Sequence, residues 1–112
     1  MADPLRPPSF ATLLQRFFAE HLTQHRSVSP RTIAAYRDTF RLLLLFAKQR
    51  IGKAPAAVAL ADLDAPFVLA FLDHLEAERG NGARTRNARL TAIRSVLGYA
   101  AHHVLAAAPI GA

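Results

Sequence analysis

The sequence predicts an all-α fold, a single compact domain of four helices, on three observations. The 112 residues include 23 alanines and 16 leucines against five valines and four isoleucines, a balance that favours helix over strand. Apolar residues recur at three- and four-residue intervals in four separate segments, and no segment shows the strict alternation of a half-buried strand. Serine, aspartate, proline and glycine stand at the segment ends, where helices start and stop. A chain of this length is one domain with room for a core.

The first helix follows "RPPS", with Ser9 as its N-cap. Its stripe is Phe10, Leu13, Leu14, Phe17 and His21, with Phe18 and Leu22 at the edge, and it should fade near Gln24 to Arg26. The second opens in "SVSPRT", where Ser29 caps and Pro30 takes the first helical position. Ile33, Tyr36, Phe40, Leu43, Leu44 and Ala47 form its stripe, and Gly52 closes it. Leu42, Leu45 and Phe46 fall off that stripe, so the second half is apolar most of the way round. A central helix covered on several sides explains this, and so does a face that docks another domain.

"KAPAAVALADL" reads as a loop. Asp64 caps the third helix with Pro66 just inside; Val68, Phe71, Leu72 and Leu75 form its stripe, and Gly80 stops it. The fourth begins after "GNG", near Ala83 to Thr85, turns Leu90, Ile93, Leu97 and Ala100 inward, and runs to about His103. The chain thus divides into an N-terminal extension (1–8), a helical domain (9–104) and a tail (105–112).

The charge is segregated. From His21 to Lys53 there are seven Lys/Arg and one acid; from Ala54 to Glu78 there are five acids and no Lys/Arg; from Arg79 onward there are five arginines and no acid. Two basic segments flanking an acidic one make one positive and one negative face, although blocks of this kind also occur as plain solvated surface. The absence of cysteine excludes disulfides and thiolate metal sites and fits a reducing cytosol. The N-terminus lacks the apolar core of a signal peptide, and the run Leu42–Ala47 is too short to cross a bilayer. A soluble, cytoplasmic protein is expected.

The stretch "NGARTRNARLTAIRSVLGYA", residues 81 to 100, has four arginines and no acid at the head of an apolar helical pattern. Projected at roughly 100° per residue, Arg84, Asn87, Thr91 and Arg94 share a face away from the apolar stripe. Arg86 and Arg89 project onto or beside the stripe, at its N-terminal end. A helix N-terminus already carries partial positive charge, so arginines there are unfavourable unless an external anion sits opposite. Free amides plus arginines make a good phosphate site, and Asn and Thr among them can meet phosphate or base edges. The second helix repeats the arrangement with Ser29, Arg31 and Thr32 at its start and Arg37 and Arg41 further along. The candidate contact set is therefore Ser29, Arg31, Thr32, Arg84, Thr85, Arg86, Asn87, Thr91 and Arg94. A membrane surface would require an apolar face exposed to lipid, but here the apolar stripes are needed for the core. Duplex nucleic acid is the expected partner, and an acidic protein docked on the basic face is the alternative.

Other constellations read as structural. His21 and His25 have helical metal-pair spacing but no convincing third ligand, so no metal is expected, nor any cofactor. Tyr36 and Tyr99 are expected in packing or on the surface, the doublet His102 and His103 in solvent. Asp73 and Glu76 lie on the third helix's polar face without a partner base and are expected to be solvated, away from the anion.

Two stretches together, "SPRTIAAYRDTFRLLLLFA" and "LADLDAPFVLAFLDHLEAERGNGARTRNARLTAIRSVLGYA", resemble the N-terminal core-binding, SAM-like domain of tyrosine recombinases, the phage-integrase family. The matching positions are Ser29, Pro30, Thr32 and Tyr36, then Phe71, Leu72 and Leu75, then Thr85, Arg86, Asn87, Arg89, Leu90, Ile93, Arg94 and Tyr99. The resemblance spans roughly residues 9 to 103. It implies a four-helix half of a C-shaped clamp on double-stranded DNA, with the second and fourth helices facing the duplex. It also implies a separate C-terminal catalytic domain and other recombinase subunits as partners. That catalytic half would bring an Arg, a Lys, a His-x-x-Arg motif and a nucleophilic Tyr. No His-x-x-Arg occurs in these 112 residues, so this chain alone is expected not to cut DNA, and its tail is expected to begin the linker to the catalytic domain.

Overall fold

The computed structural model describes residues 9–22 and 28–107. Among these residues there are four α-helices and no strand: α1 (Phe10–Arg16), α2 (Pro30–Ile51), α3 (Ala65–Arg79) and α4 (Ala83–Ala107). The expected all-α, four-helix class is what the chain adopts. The sequence-marked caps of α1, α2 and α3 hold at atomic level. Ser9 Oγ accepts from the Thr12 amide at 3.2 Å, Ser29 Oγ from the Thr32 amide at 3.2 Å, and Asp64 Oδ1 from the Phe67 amide at 2.9 Å. Each bond satisfies one amide that the helix itself leaves without a partner. Gly52 and Gly80 close α2 and α3 at φ of 67° and 64°, a left-handed conformation that glycine adopts without a Cβ clash.

Two elements depart from the simple periodic reading. Beyond Arg16 the first helix continues as a wider π-helical turn, Phe17–Leu22. Widening the turn rotates the residues that follow Phe17 relative to a regular α-helix. Leu22 therefore enters the core, while His21, expected on the stripe, is exposed with its ring stacked on Phe17 at 5.1 Å. The expected fading point, Gln24 to Arg26, lies outside the described residues.

The second departure is the α2–α3 connection, which contains two 3₁₀ turns, Pro55–Ala57 and Leu60–Asp62. It contributes buried Val58 and Leu63 to the core, and the Val58 carbonyl accepts from the Phe10 amide at 3.2 Å. These core positions escaped the stripe reading because a 3₁₀ connection has neither helical nor strand periodicity.

Asp62 pins this connection. Its Oδ2 accepts from Lys53 Nζ at 2.7 Å and from the Ala59 amide at 2.8 Å. The Lys53 bond first, then the Ala59 amide, hold the Asp62 carboxyl below the usual carboxylate range, with partial burial opposing them. A carboxyl whose pKa is lower in the folded than in the unfolded state stabilises the fold above its unfolded pKa, and loses that contribution as pH falls through the folded value. Asp62→Asn is accordingly expected to cost about 0.5–1 kcal/mol at neutral pH. The cost should vanish in strong acid, which urea unfolding of both proteins across pH 7 to pH 2 would show; an equal difference at all pH values would contradict it.

α2 is the central helix. Phe40 lies 6.1 Å from Phe10 of α1, Phe46 lies 5.3 and 5.6 Å from Phe67 and Phe71 of α3, and Tyr36 Oη is 3.5 Å from Ser95 Oγ of α4. Leu42 and Phe46 are accordingly buried, and of the three off-stripe residues only Leu45 stays substantially exposed, at 47%. Buried Thr39 is accommodated because its hydroxyl donates to the Ala35 carbonyl at 3.0 Å. In α3 the expected stripe is buried, joined by Phe67. α4 packs against α1, α2 and α3, so its buried arc is wider than one stripe. Ala92 and Val96 join Ile93 and Ala100 in the interior, while Leu90 and Leu97 are half-buried. Its backbone stays helical to Ala107 rather than stopping near His103, because the Ala-rich stretch has no breaker before Pro109.

Candidate nucleic-acid interface

α4 emerges from the core at its N-terminal end. No residue from Ala83 to Thr91 is fully buried. Arg84, Asn87, Thr91 and Arg94 are all exposed and follow one another at three- and four-residue steps, so they form a single outward stripe with no carboxylate in it. The Thr91 hydroxyl donates to the Asn87 carbonyl at 2.9 Å, which leaves its oxygen lone pairs as the outward function.

The N-terminal half of α2 lies beside this stripe. A groove of about 550 Å³ runs between the two helices, with Arg31, Thr32, Tyr36 and the carboxylate Asp38 on one wall and Thr85, Arg89 and Thr91 on the other; Asp38 is paired with Arg41. The structure thus brings Arg31, Thr32, Thr85 and Thr91 together in one place, with Arg84, Asn87 and Arg94 on the adjoining ridge. Ser29 stands at the end of α2 with its hydroxyl engaged in the cap and 3.1 Å from the Thr32 hydroxyl. Its role there is to fix the α2 terminus together with Thr32, and Arg31 is the exposed side chain beside them that reaches outward.

Arg89, which is not among the sequence-derived contact residues, lines this groove. The groove explains its actual place: it follows the flank of the apolar stripe, so a residue beside the core lines it. Its position within "TRNARL" was the available signal.

Arg86 is on the other flank. Its Nη1 donates to Asp73 Oδ1 at 2.8 Å and lies 3.3 Å from Glu76 Oε1, both on α3. The Asp73 bond, with the nearby Glu76 charge, raises the already high pKa of the guanidinium. Asp73 and Glu76 are therefore not simply solvated, as their spacing suggested; they hold an arginine expected to face the anion. The helical projection showed Arg86 near the apolar stripe but could not show which neighbour lay against it.

Further along α2, Arg37 and Arg41 line a different flank from the groove. The Arg37 guanidinium lies 5.9 Å from the centroid of the Phe18 ring, and Arg41 pairs with Asp38 at 2.8 Å. The two tyrosines are half-buried in an aromatic cluster, Tyr36 stacked on Phe17 at 6.2 Å and Tyr99 edge-on to it at 5.5 Å. Among the described residues no group of histidine and carboxylate side chains could hold a metal ion, and His25 lies outside them. No described helix is long and apolar enough to cross a membrane.

Comparison with known proteins agrees with this architecture. A family model described as the phage integrase N-terminal SAM-like domain matches residues 14–103. A protein of Sinorhizobium fredii (strain NBRC 101917 / NGR234) described as "Putative integrase/recombinase y4rD" is 52% identical over 99 residues, covering 88% of this chain and 34% of that protein. A second from the same strain, "Putative integrase/recombinase y4rC", is 50% identical over 96 residues, covering 86% of this chain and 29% of its own length. The chain thus spans about a third of the length of these relatives. No solved structure matches it.

Proposed function

The chain belongs to the phage integrase N-terminal SAM-like domain family, and from that membership we propose that it grips duplex DNA through the N-terminal halves of α2 and α4. One observation carries the reading. Arg31 and Thr32 of α2 and Thr85, Arg89 and Thr91 of α4 line one groove, beside an acid-free ridge of Arg84, Asn87 and Arg94. Two helix N-termini contribute amides and dipoles toward an anion, and arginines pair with phosphate oxygens in charge-assisted bonds. Those contacts set position and affinity, while Asn87 and Thr91 are the side chains suited to base edges.

The DNA is the recombination site of a site-specific tyrosine recombinase. Strand cleavage belongs to a catalytic domain elsewhere in the protein, and other recombinase subunits share the same DNA. On its own this chain holds half a clamp. It is expected to bind weakly, with a Kd on the order of micromolar or worse at physiological salt. It should form no covalent adduct with nicked DNA.

The test is a titration of a generic duplex, read by fluorescence anisotropy, at several salt concentrations. If about four to six phosphates are neutralised, the logarithm of affinity should fall against the logarithm of salt with a slope of about −4 to −5. Arg84→Ala and Arg94→Ala should each reduce the slope by about one, alike on all sequences, where the contact is to phosphate. Unchanged affinity and slope in both variants, with normal melting, would remove this face from consideration and leave an acidic protein as the partner to test.

A further inference from the structure

We infer that Arg86 is a positioning residue: its bridge to Asp73 and Glu76 sets how the first turns of α4 present Arg84 and Asn87 to the duplex. This inference rests on the DNA-binding reading above.

Three observations lead to it. First, the part of α4 that carries Arg84 and Asn87 projects beyond the core, since the first buried residue of the helix is Ala92, whereas Arg94 stands between buried Ile93 and Val96. Residues 83 to 89, about two turns, therefore lack an apolar anchor, and half-buried Leu90 is the first side chain of the helix to pack on the core. Second, the turn before it is only Gly80-Asn81-Gly82, with Gly80 in the left-handed region and no heavy atom within 4 Å of where a Cβ would stand on either glycine. A turn of two unhindered glycines does little to fix an interhelical angle. Third, one guanidinium nitrogen of Arg86 reaches two carboxylates a turn apart on α3, at 2.8 and 3.3 Å, and the side chain is only 25% exposed. The bridge crosses the glycine turn and ties the unanchored turns of α4 to α3. As a largely surface ion pair it adds little stability, so its consequence lies in orientation. A guanidinium held by two carboxylates is also already neutralised, which makes it a poor phosphate ligand.

A double-mutant cycle on duplex binding separates the two roles, because coupling between residues that act as a unit is lost once either is removed. Wild type, Arg86→Met, Asp73→Asn/Glu76→Gln and the triple variant are titrated with the same duplex across salt. Arg86→Met should weaken binding by about fivefold in the wild-type background and by less than about twofold once the carboxylates are gone. The salt slope should stay within about half a unit throughout. Asp73→Asn/Glu76→Gln should itself bind more weakly than wild type although it carries two fewer negative charges, and this arm decides the question should Arg86→Met fail to fold. An equal loss from Arg86→Met in both backgrounds, with the slope reduced by about one, would make Arg86 a phosphate ligand and overturn the inference. Tighter binding by the carboxylate variant would overturn it as well. Failure of wild type to bind any duplex at low salt would instead refute the DNA-binding reading, and the inference with it.

Discussion

Replacing Phe71 by alanine is expected to remove about 3–5 kcal/mol of folding stability, the usual range for truncating a fully buried aromatic. Phe71 is completely buried and its ring lies 5.6 Å from Phe46, so it joins α3 to the central helix. The loss combines the transfer energy of the ring with a cavity that Phe46 and the surrounding core fill poorly. Domains of this kind are stable by only about 5–15 kcal/mol, so the variant should lose a large share of its total stability. Its melting temperature should drop by at least about 10 °C. Leu69→Ala is the control, because Leu69 on the same helix is 50% exposed and should cost about 0.5 kcal/mol or less. Equal destabilisation by the two variants in thermal and urea unfolding would contradict the assigned core.

The largest effect on binding is expected from Arg31→Ala/Arg84→Ala/Arg94→Ala, which strips charge from both helices at once. All three side chains are exposed, so the fold and its melting should be little changed. Losing three phosphate contacts should reduce the salt slope by about three and weaken binding at low salt by about a hundredfold or more. Arg37→Ala/Arg41→Ala removes two charges from the flank of α2 away from the groove. It should lower affinity only through the net charge, by a few-fold at most. Comparable losses from the two variants would mean that binding follows total charge and that no particular face is used.

The helices and their ends were legible because their signals are local. Ser9, Ser29 and Asp64 cap their own helices, and Gly52 and Gly80 end theirs, through bonds and dihedral preferences that span only a few residues. The π turn at Phe17–Leu22 was not legible, since nothing in "FFAEHL" marks an extra residue in the turn. It moved His21 out of the core and Leu22 in. Val58 and Leu63 were missed for want of periodicity, and the Ala92 and Val96 arc because a one-stripe reading assumes a single partner for α4. At the site, the exposed ridge could be projected from spacing along one helix. The partners of Arg86 and the place of Arg89 depend on how α3 and α2 lie against α4. That is a tertiary fact which no single-helix projection contains.

Which face meets DNA is tested most directly by following backbone amide resonances while a generic duplex is added to the folded domain. The amides of residues 29, 31–36 and 83–95 should shift together and saturably, with the shifts reversed by salt, while those of the exposed side of α3 and of the Arg37 and Arg41 flank of α2 stay in place. Shifts concentrated on α3 or on that outer flank, with residues 83–95 unmoved, would contradict the proposal that α2 and α4 grip the duplex with their N-terminal halves.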